Sequence, residues 1–195
     1  SFGTVSTSGY SPWNASIGHY NNAYFDWVII IFMFLGGMTF MLFYHMLLGN
    51  WRVVKINTEF RWYVGFMLFF CGMVSWILWK EQTYGSLMDS IRYATFQVTS
   101  ILTTTGFTTA DYEQWPQAAQ MFLFAVCFIG ACAGSTTSGI KVVHYVLICK
   151  FGVAAIKRIF FRPMAVMSIR LNQRPVESQI VDLKTRYLIL TIFLV

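Results

Sequence analysis

Long apolar runs separated by short polar segments constrain this chain more strongly than any other feature of its sequence. Hydrophobic residues make up 56% of the 195 positions and charged residues only 11%, so the mean hydropathy is +0.56. Several runs approach the ~20 apolar residues that an α-helix needs to cross a bilayer. The sequence therefore predicts an all-α integral membrane protein and argues against a water-soluble domain.

Basic residues are concentrated in two segments, and this distribution predicts how the chain is oriented in the membrane. Residues 49–61 and 150–186 are rich in Lys and Arg, whereas residues 80–113 contain two basic and four acidic residues. Cytoplasmic loops carry an excess of Lys and Arg, so both basic segments are expected in the cytoplasm. Topology thus explains the net charge of +6 without a nucleic-acid partner. For residues 150–186, a docking surface for a partner protein or anionic lipid is an equally good interpretation.

A polar stretch between two apolar segments has the composition of a cation-binding loop. Residues 100–109 read SILTTTGFTT and contain no charged residue, His or Cys. Hydroxyl and carbonyl oxygens suit a hard cation, and a Gly after threonines lets successive carbonyls point the same way. Potassium channel filters are Thr/Gly/aromatic loops of this kind, which makes Thr104, Thr105, Gly106 and Phe107 candidate filter residues. From these residues alone, a polar extracellular loop remains the alternative.

The same pattern occurs a second time near the start of the chain. The segment TSGYS, which contains Thr7, Ser8, Gly9 and Tyr10, matches TTGFT at a spacing of 97 positions. Both copies lead through a short polar stretch containing a Trp into a long apolar segment, the first of which predicts a spanning helix over residues 27–48. The sequence therefore predicts an internal repeat.

A short helix is predicted immediately before the second of these loops. Residues 87–102 have apolar positions at helical spacing, but sixteen residues are too few to cross a bilayer. The C-terminal end of this helix would carry negative partial charge and point at residues 103–106, which favours a cation. Re-entrant pore helices have this profile, and a surface amphipathic helix is the alternative. Residues 62–79 predict the spanning helix that precedes it.

The apolar segment after the loop is interrupted by small residues. A helix is predicted over residues 117–129, and GACAGSTTSG then occupies residues 130–139. Ten small residues that include three Gly do not form a robust helix, and irregular backbone at membrane depth must be buried in protein or line a water cavity. The segment is either a gate below the filter or a close-packed helix crossing. The candidate gate residues are Gly130, Ala133, Gly134, Ser135, Thr136, Thr137, Ser138, Gly139 and Lys141.

No group of residues predicts an enzyme or an organic cofactor. The three His are scattered, the eight carboxylates lie in loops or at membrane edges, and the four Cys form no CxxC pair. A membrane-embedded transferase would need a convergent acid, base or metal site, and a purely structural subunit would not explain two filter-like loops. The polar residues 1–22 and the short apolar run at 187–195 predict a fragment of a longer protein.

Two motifs in this order resemble a known transporter family. TSILTTTGFTTADYEQWP followed by FIGACAGSTTSGIKV is similar to the potassium transporters of the Trk/Ktr/HKT superfamily, and most closely to the bacterial Trk-type membrane subunit. FGTVSTSGYS resembles the filter of the preceding repeat. The resemblance covers essentially the whole chain and implies potassium uptake across the bacterial cytoplasmic (inner) membrane. It assigns K⁺, the transported ion, to the main-chain carbonyls of Thr7, Ser8, Thr104 and Thr105.

The resemblance also implies an architecture and partners. The complete protein would have repeated helix–pore helix–filter–helix units around a pseudo-fourfold pore, with re-entrant pore loops and a broken transmembrane helix. Residues 1–61 would end the second unit, residues 62–160 would form the third, and residues 161–195 would connect to the fourth. The filters would face the extracytoplasmic side, and residues 130–139 would gate the pore. Expected partners are a second copy in a homodimer, membrane lipid and a cytoplasmic nucleotide-binding regulatory ring, with proton or sodium symport left open. This sequence departs from potassium channel filters at Ser8, where those filters carry an apolar residue.

Overall fold

The computed structural model describes residues 2–14, 16–160, 169–171 and 174–176. These residues form eight α-helices, which are α1 (Phe2–Val5), α2 (Ala23–Gly36), α3 (Phe40–Leu47), α4 (Trp51–Ile56), α5 (Thr58–Lys80), α6 (Leu87–Leu102), α7 (Gln117–Cys127) and α8 (Val142–Phe160). Two 3-10 turns occur at Ser16–Tyr20 and Tyr112–Gln114. A short antiparallel hairpin pairs β1 (Ile169–Leu171) with β2 (Arg174–Val176). The predicted helical fold is confirmed, and most of residues 161–195, assigned to the connection to a fourth unit, lie outside the described part.

Helix α5 is the longest of the described helices. It has 23 residues and is the one described helix that is long and apolar enough to cross a bilayer by itself. Its first turn is capped by Asn57, whose side-chain oxygen accepts a hydrogen bond from the amide of Phe60 at 3.2 Å. An Asn at this position satisfies one of the free amides of a helix N-terminus. The helix predicted over residues 62–79 is therefore confirmed and extends four residues further toward the N-terminus.

The helix predicted over residues 27–48 is not continuous. The chain instead forms α2 and α3, whose axes differ in direction by 109°. Asn22 caps the start of α2, accepting a hydrogen bond from the amide of Tyr24 at 2.9 Å. The prediction of one straight helix in this segment is wrong, and the break falls at Gly37, Met38 and Thr39.

Tyr63 of α5 explains the break. Its side chain is fully buried, and its hydroxyl donates a hydrogen bond to the carbonyl of Phe34 at 3.2 Å. In a regular helix that carbonyl would accept from the amide of Met38, which bonds instead to Leu35 at 3.1 Å. A side chain on Gly37 would overlap the Tyr63 hydroxyl. The aromatic residue of α5 thus takes the place that a continuous helix would need.

Helix α6 has the bounds that its amphipathic spacing predicts. Ser86 caps its first turn by accepting a hydrogen bond from the amide of Met88 at 3.2 Å. Its C-terminal half is enclosed by protein, and the buried residues there are Phe96, Gln97, Val98, Thr99, Ser100 and Leu102. The alternative of an amphipathic helix on the protein surface is therefore excluded.

The predicted interruption after α7 is also confirmed. Residues 128–141 separate α7 from α8, and the two ends of this segment are hydrogen-bonded to each other. The amide of Gly130 donates to the carbonyl of Ile140 at 2.8 Å, and the amide of Val142 donates to the carbonyl of Ala131 at 3.2 Å. A Cβ on Gly130 would lie 2.8 Å from the carbonyl oxygen of Ser138. The two ends of the loop thus lie next to each other, and only a glycine at position 130 allows the two backbone segments to come this close.

Two groups of buried apolar side chains hold the helices together. The larger lies between α5, α6, α7 and α8 and includes Val74, Leu78, Val98, Leu123 and Val146. The smaller joins α2 to α6 and the loop after it, and it consists of Ile30, Met33, Phe96 and Phe107. Helix α6 therefore lies at the centre of the packing, in contact with α2, α5 and α7.

A buried ion pair adds to the contact between α2 and α6. The Nε atom of Arg92 lies 3.4 Å from Oδ2 of Asp26, and the side chains are 14% and 5% exposed. Arg92 also lies over the ring of Tyr93 and 3.6 Å from Asp89. Removal of one member of a buried ion pair leaves an uncompensated charge and costs about 3–5 kcal/mol. This pair therefore fixes α2 to the N-terminal half of α6.

The close contact between the Tyr63 side chain and Gly37 at the break of α2 predicts a difference between two glycine substitutions. Gly37→Ala should destabilise the full-length protein by about 1–3 kcal/mol, since overpacking carries this cost. Gly72→Ala in α5 is the matched control, because a Cβ there meets no atom within 4 Å and alanine favours a helix. Thermal unfolding in detergent should show a lower midpoint for Gly37→Ala alone. Equal midpoints for both variants would contradict the claim that Tyr63 leaves no room for a side chain at position 37.

Candidate functional site

The two filter-like loops have the same backbone conformation. Thr7 and Thr104 both have φ of +51°, and Gly9 and Gly106 have φ of +65° and +83°. A positive φ is uncommon for any residue with a side chain. Its occurrence at the same two positions of both loops, 97 residues apart, shows that the sequence repeat is also a structural repeat.

The same hydrogen bond closes each loop. The amide of Thr105 donates to the carbonyl of Ser100 at 2.8 Å, and the amide of Ser8 donates to the carbonyl of Gly3 at 3.1 Å. Both bonds reach five residues back into a helix end, so α1 corresponds to the last turn of α6. Each loop therefore follows directly from the C-terminal end of a helix, where the helix dipole carries negative partial charge.

Hydroxyl groups of the second loop bond to the protein scaffold. The hydroxyl of Thr103 donates to the carbonyl of Thr99 at 2.7 Å and lies 2.8 Å from the hydroxyl of Thr105. The hydroxyl of Ser100 donates to the carbonyl of Phe107 at 2.6 Å. All of these hydroxyl residues are buried. These hydroxyl groups thus hold the backbone of the loop in place.

The main-chain oxygens of the candidate filter are left available. No described residue donates a hydrogen bond to the carbonyls of Thr7, Ser8, Thr104 or Thr105. Thr105 is buried, Thr7 and Thr104 are half-buried and Ser8 is exposed. Together with the uncharged surroundings, this arrangement is chemically suited to a cation that exchanges water for carbonyl oxygens.

The two loops lie against each other. A Cβ on Gly9 would overlap the carbonyl oxygen of Thr105, so the first loop requires glycine at this position. At the other end of the second loop, the carbonyl of Thr108 accepts hydrogen bonds from the amides of Ile17 and Gly18 at 3.1 and 3.2 Å. The amide of Thr108 donates to the hydroxyl of Ser16 at 3.3 Å. The 3-10 turn after the first loop thus holds the second loop in place.

The aromatic positions of the two loops differ in their surroundings. Phe107 is 5% exposed and packs with Ile30 and Met33 of α2, whereas Tyr10 is 89% exposed. Phe107 therefore anchors its loop to the helix that follows the other loop. Tyr10 has no equivalent helix to contact among the described residues.

The loop of residues 130–139 contacts both candidate filter segments. The amide of Ser138 donates to the hydroxyl of Thr104 at 2.8 Å. The hydroxyl of Thr7 donates to the carbonyl of Thr136 at 3.1 Å, and the hydroxyl of Thr136 donates to the carbonyl of Val5 at 3.0 Å. The segment is thus an irregular loop tied to the filter threonines, and the alternative of a simple helix crossing does not describe it.

The same loop is also bonded to the break between α2 and α3. Four hydrogen bonds make this connection: the Cys132 amide to the Gly37 carbonyl at 3.2 Å, the Thr39 hydroxyl to the Ala133 carbonyl at 2.9 Å, the Phe40 amide to the Gly134 carbonyl at 3.3 Å, and the Thr136 hydroxyl to the Gly36 carbonyl at 3.3 Å. The two helix interruptions therefore satisfy each other's polar groups.

The remaining candidate residues shape the loop itself. The hydroxyl of Ser135 donates to the carbonyl of Cys132 at 2.6 Å and lies 2.7 Å from the hydroxyl of Thr137. Gly134 and Gly139 take positive φ values of +76° and +80°, which permit its tight path. Among the described residues, none of these four makes a hydrogen bond to the candidate filter, so they determine the conformation of the loop.

Two charged residues outside residues 130–139 also contact the loop. The ammonium group of Lys141 donates to the carbonyl of Thr137 and to its hydroxyl, the latter at 3.0 Å. The carboxylate of Glu59, in the first turn of α5, accepts a hydrogen bond from the amide of Ala133 and interacts electrostatically with Lys141. Glu59 is the one acidic residue in the basic segment of residues 49–61, which the charge distribution predicts to be cytoplasmic.

Comparison with known proteins places the chain among membrane transporters. The sequence profile of the TrkH family, described as a cation transport protein, matches residues 1–195. The Trk system potassium uptake protein TrkH of Escherichia coli K12 is 35% identical over 183 residues, which cover 93% of this chain and 38% of that protein. The TrkG protein of the same organism is 29% identical over 180 residues, which cover 91% of this chain and 36% of TrkG. The chain thus spans well under half the length of these relatives.

A solved structure shows the same fold. The crystal structure of the potassium transporter TrkH from Vibrio parahaemolyticus superposes with a TM-score of 0.87 at 28% identity. The match covers 95% of this chain and 40% of that protein. The proteins that the chain resembles are ion transporters rather than enzymes, so the membrane-enzyme alternative is excluded.

The hydrogen bonds of the loop predict slow amide exchange despite its irregular backbone. The amides that donate hydrogen bonds within residues 130–139 are those of Gly130, Cys132, Ala133, Ser135 and Ser138. Hydrogen–deuterium exchange of the full-length protein in detergent should show these amides protected, because exchange requires the bonds to open. Exchange as fast as that of Gly9, Tyr10 and Ser11, whose amides donate no hydrogen bond to a described residue, would contradict the bonded loop.

Proposed function

Because the chain belongs to the TrkH family of cation transport proteins, we propose that it forms part of a pore for potassium uptake across the bacterial cytoplasmic membrane. The observation that carries this proposal is the pair of adjoining loops with equal backbone conformation and main-chain oxygens free of donors. Each loop follows a helix C-terminus, and the chain is 35% identical to a potassium uptake protein.

The chemistry of the two loops suits potassium better than a more tightly hydrated ion. The carbonyls of Thr7, Ser8, Thr104 and Thr105 would replace the hydration shell of K⁺ one ion at a time, as in potassium channel filters. The helix ends behind them add negative partial charge without a fixed carboxylate that would hold the ion too strongly. Inward movement would be driven by the membrane potential, worth about 2.3 kcal/mol per charge per 100 mV.

A groove beside α6 and α7 is an observation in favour of a further pore helix and filter around the same pore. It has a volume of about 670 Å³ and is lined in part by Phe124 and Cys127. When the starts of α2 and α7 are aligned, these residues correspond to Ile30 and Met33, which hold Phe107 of the next loop. We infer that a fourth pore helix and filter occupy this groove in the complete protein, giving a pseudo-fourfold pore.

We propose the division into units that the sequence predicts. Residues 1–61 would end the second unit, residues 62–160 would form the third, and residues 161–195 would lead into the fourth. The exposed Tyr10 is the counterpart of Phe107 and would contact the helix of a unit that precedes it in the pore. Both filters would then face the extracytoplasmic side, with residues 49–61 and the basic residues after α8 in the cytoplasm.

We further propose that residues 130–139 act as a gate. The loop is bonded to Thr7 and Thr104, directly beside the proposed ion sites, so an ion that leaves the filter on this side would have to displace it. In the complete protein, a cytoplasmic nucleotide-binding ring would control the gate, and two copies would associate in the membrane in contact with lipid. The basic segment after α8 would be the surface that meets the ring.

Substitution of the filter glycine tests the proposed function. In full-length protein in liposomes, Gly106→Val should lower rubidium flux by roughly tenfold or more, the equivalent of about 1.4 kcal/mol in the barrier. The reason is that a β-branched residue does not tolerate φ of +83°. Thr105→Ser should be much milder, because it keeps both the carbonyl and the hydroxyl that bonds to Thr103.

Gly49→Val is the matched control for this experiment. Gly49 also has a positive φ, of +74°, and a Cβ there meets no atom within 4 Å, but the residue lies far along the chain from both loops. Its flux should stay near that of the unmodified protein. Unchanged flux and unchanged preference for potassium over sodium in Gly106→Val would rule out a filter at this position.

A further inference from the structure

Ala133 in the loop of residues 130–139 is held on both of its main-chain polar groups. Its amide donates a hydrogen bond to the carboxylate of Glu59, at the start of α5. Its carbonyl accepts a hydrogen bond from the hydroxyl of Thr39, the residue before α3, at 2.9 Å. Two side chains from the ends of two different helices are therefore hydrogen-bonded to the same residue of the loop.

These two contacts lie at a different place from the contacts to the filter. On the filter side, the loop is bonded through Thr136 and Ser138. A loop held only on that side could rotate away about its bonded ends at residues 130 and 140. The contacts of Glu59 and Thr39 oppose such a rotation because they hold Ala133, and they add to the main-chain bonds that Cys132 and Gly134 make to the break between α2 and α3.

The charge of Glu59 strengthens its contact with the loop. A hydrogen bond to an ionised acceptor is about twice as strong as one between neutral groups. Glu59 also interacts with the ammonium group of Lys141, which itself bonds to Thr137 of the loop. Displacement of the loop would separate the carboxylate from Ala133 and from this cation together.

We propose that Glu59 and Thr39 form a clamp on Ala133 that keeps the loop of residues 130–139 across the ion path, so that opening requires release of this clamp. This inference rests on the proposed function, since it assumes that the loop obstructs a pore. It goes further by naming the residues, outside the loop and the filter, that set how often the loop opens. Glu59 and Thr39 are positioning residues in this account, and they are not ion ligands.

The clamp predicts that its removal increases transport. In full-length protein in liposomes without a regulatory partner, Glu59→Ala and Thr39→Val should each raise basal rubidium flux by about tenfold, the factor expected when one such hydrogen bond is lost. Glu59→Gln should have a smaller effect, because the amide oxygen still accepts from Ala133. Preference for potassium over sodium should not change, since neither residue touches the filter loops.

Two substitutions at the opposite end of α5 are matched controls. Glu81→Ala and Thr83→Val remove the same chemical groups from exposed positions next to the C-terminus of that helix. Both should leave the flux unchanged. A gain of selective flux in the clamp variants is also informative about folding, because a misfolded protein would lose flux or lose selectivity.

Accessibility of Cys132 separates failure of the clamp from failure of the proposed function. Cys132 lies in the loop and is fully buried. In a full-length protein with Cys132 as its single cysteine, Glu59→Ala and Thr39→Val should accelerate modification by a small water-soluble thiol reagent. Faster modification without rubidium flux in any variant, including the unmodified protein, would refute the pore and retain the clamp.

The clamp is overturned by the opposite pattern. If the unmodified protein conducts and both clamp variants conduct no faster, with Cys132 modified at the same rate, the loop does not depend on these residues. A fall in flux in clamp variants that reach the membrane in normal amount would overturn it equally. Glu59→Gln, which is nearly isosteric, and Thr39→Val decide the question if Glu59→Ala fails to fold.

Discussion

Main-chain polar groups that are buried at membrane depth have to be hydrogen-bonded, and the rest of this structure depends on how that requirement is met. An irregular segment such as residues 130–139 would be too costly in lipid. Here its amides and carbonyls find partners in a second irregular segment, the break between α2 and α3. The two interruptions are therefore one feature, because each supplies the hydrogen bonds that the other lacks.

The position of the candidate filter follows from this pairing. Tyr63 interrupts α2 at Gly37, and the interruption frees the main-chain groups that receive the loop. The loop then reaches the threonines of both filter segments. The second candidate filter segment is in turn fixed by Phe107, which is packed on α2. The helix break therefore positions the loop, the loop contacts the candidate filter, and the candidate filter packs back on the helix that ends at the break.

Much of this arrangement could be predicted from local sequence patterns. The bounds of α6 follow from helical spacing within sixteen residues, and the interruption after α7 follows from ten consecutive small residues. The break of α2 could not be predicted in the same way, because its cause is Tyr63, which lies distant in the sequence. The pair Gly36 and Gly37 by itself indicates only that neighbouring helices can approach closely. Glu59 was missed because charge counts along the chain assign loops and carry no information about which carboxylate meets a main-chain amide.

The central claim is that the two loops bind a potassium-like cation through their main-chain oxygens. Anomalous diffraction from crystals of the full-length protein grown with rubidium would test this most directly. We predict a rubidium peak where the two loops adjoin, in contact with carbonyl oxygens of Thr7, Ser8, Thr104 and Thr105. Rubidium bound elsewhere in the membrane region, with these oxygens bonded instead to protein donors, would contradict the account.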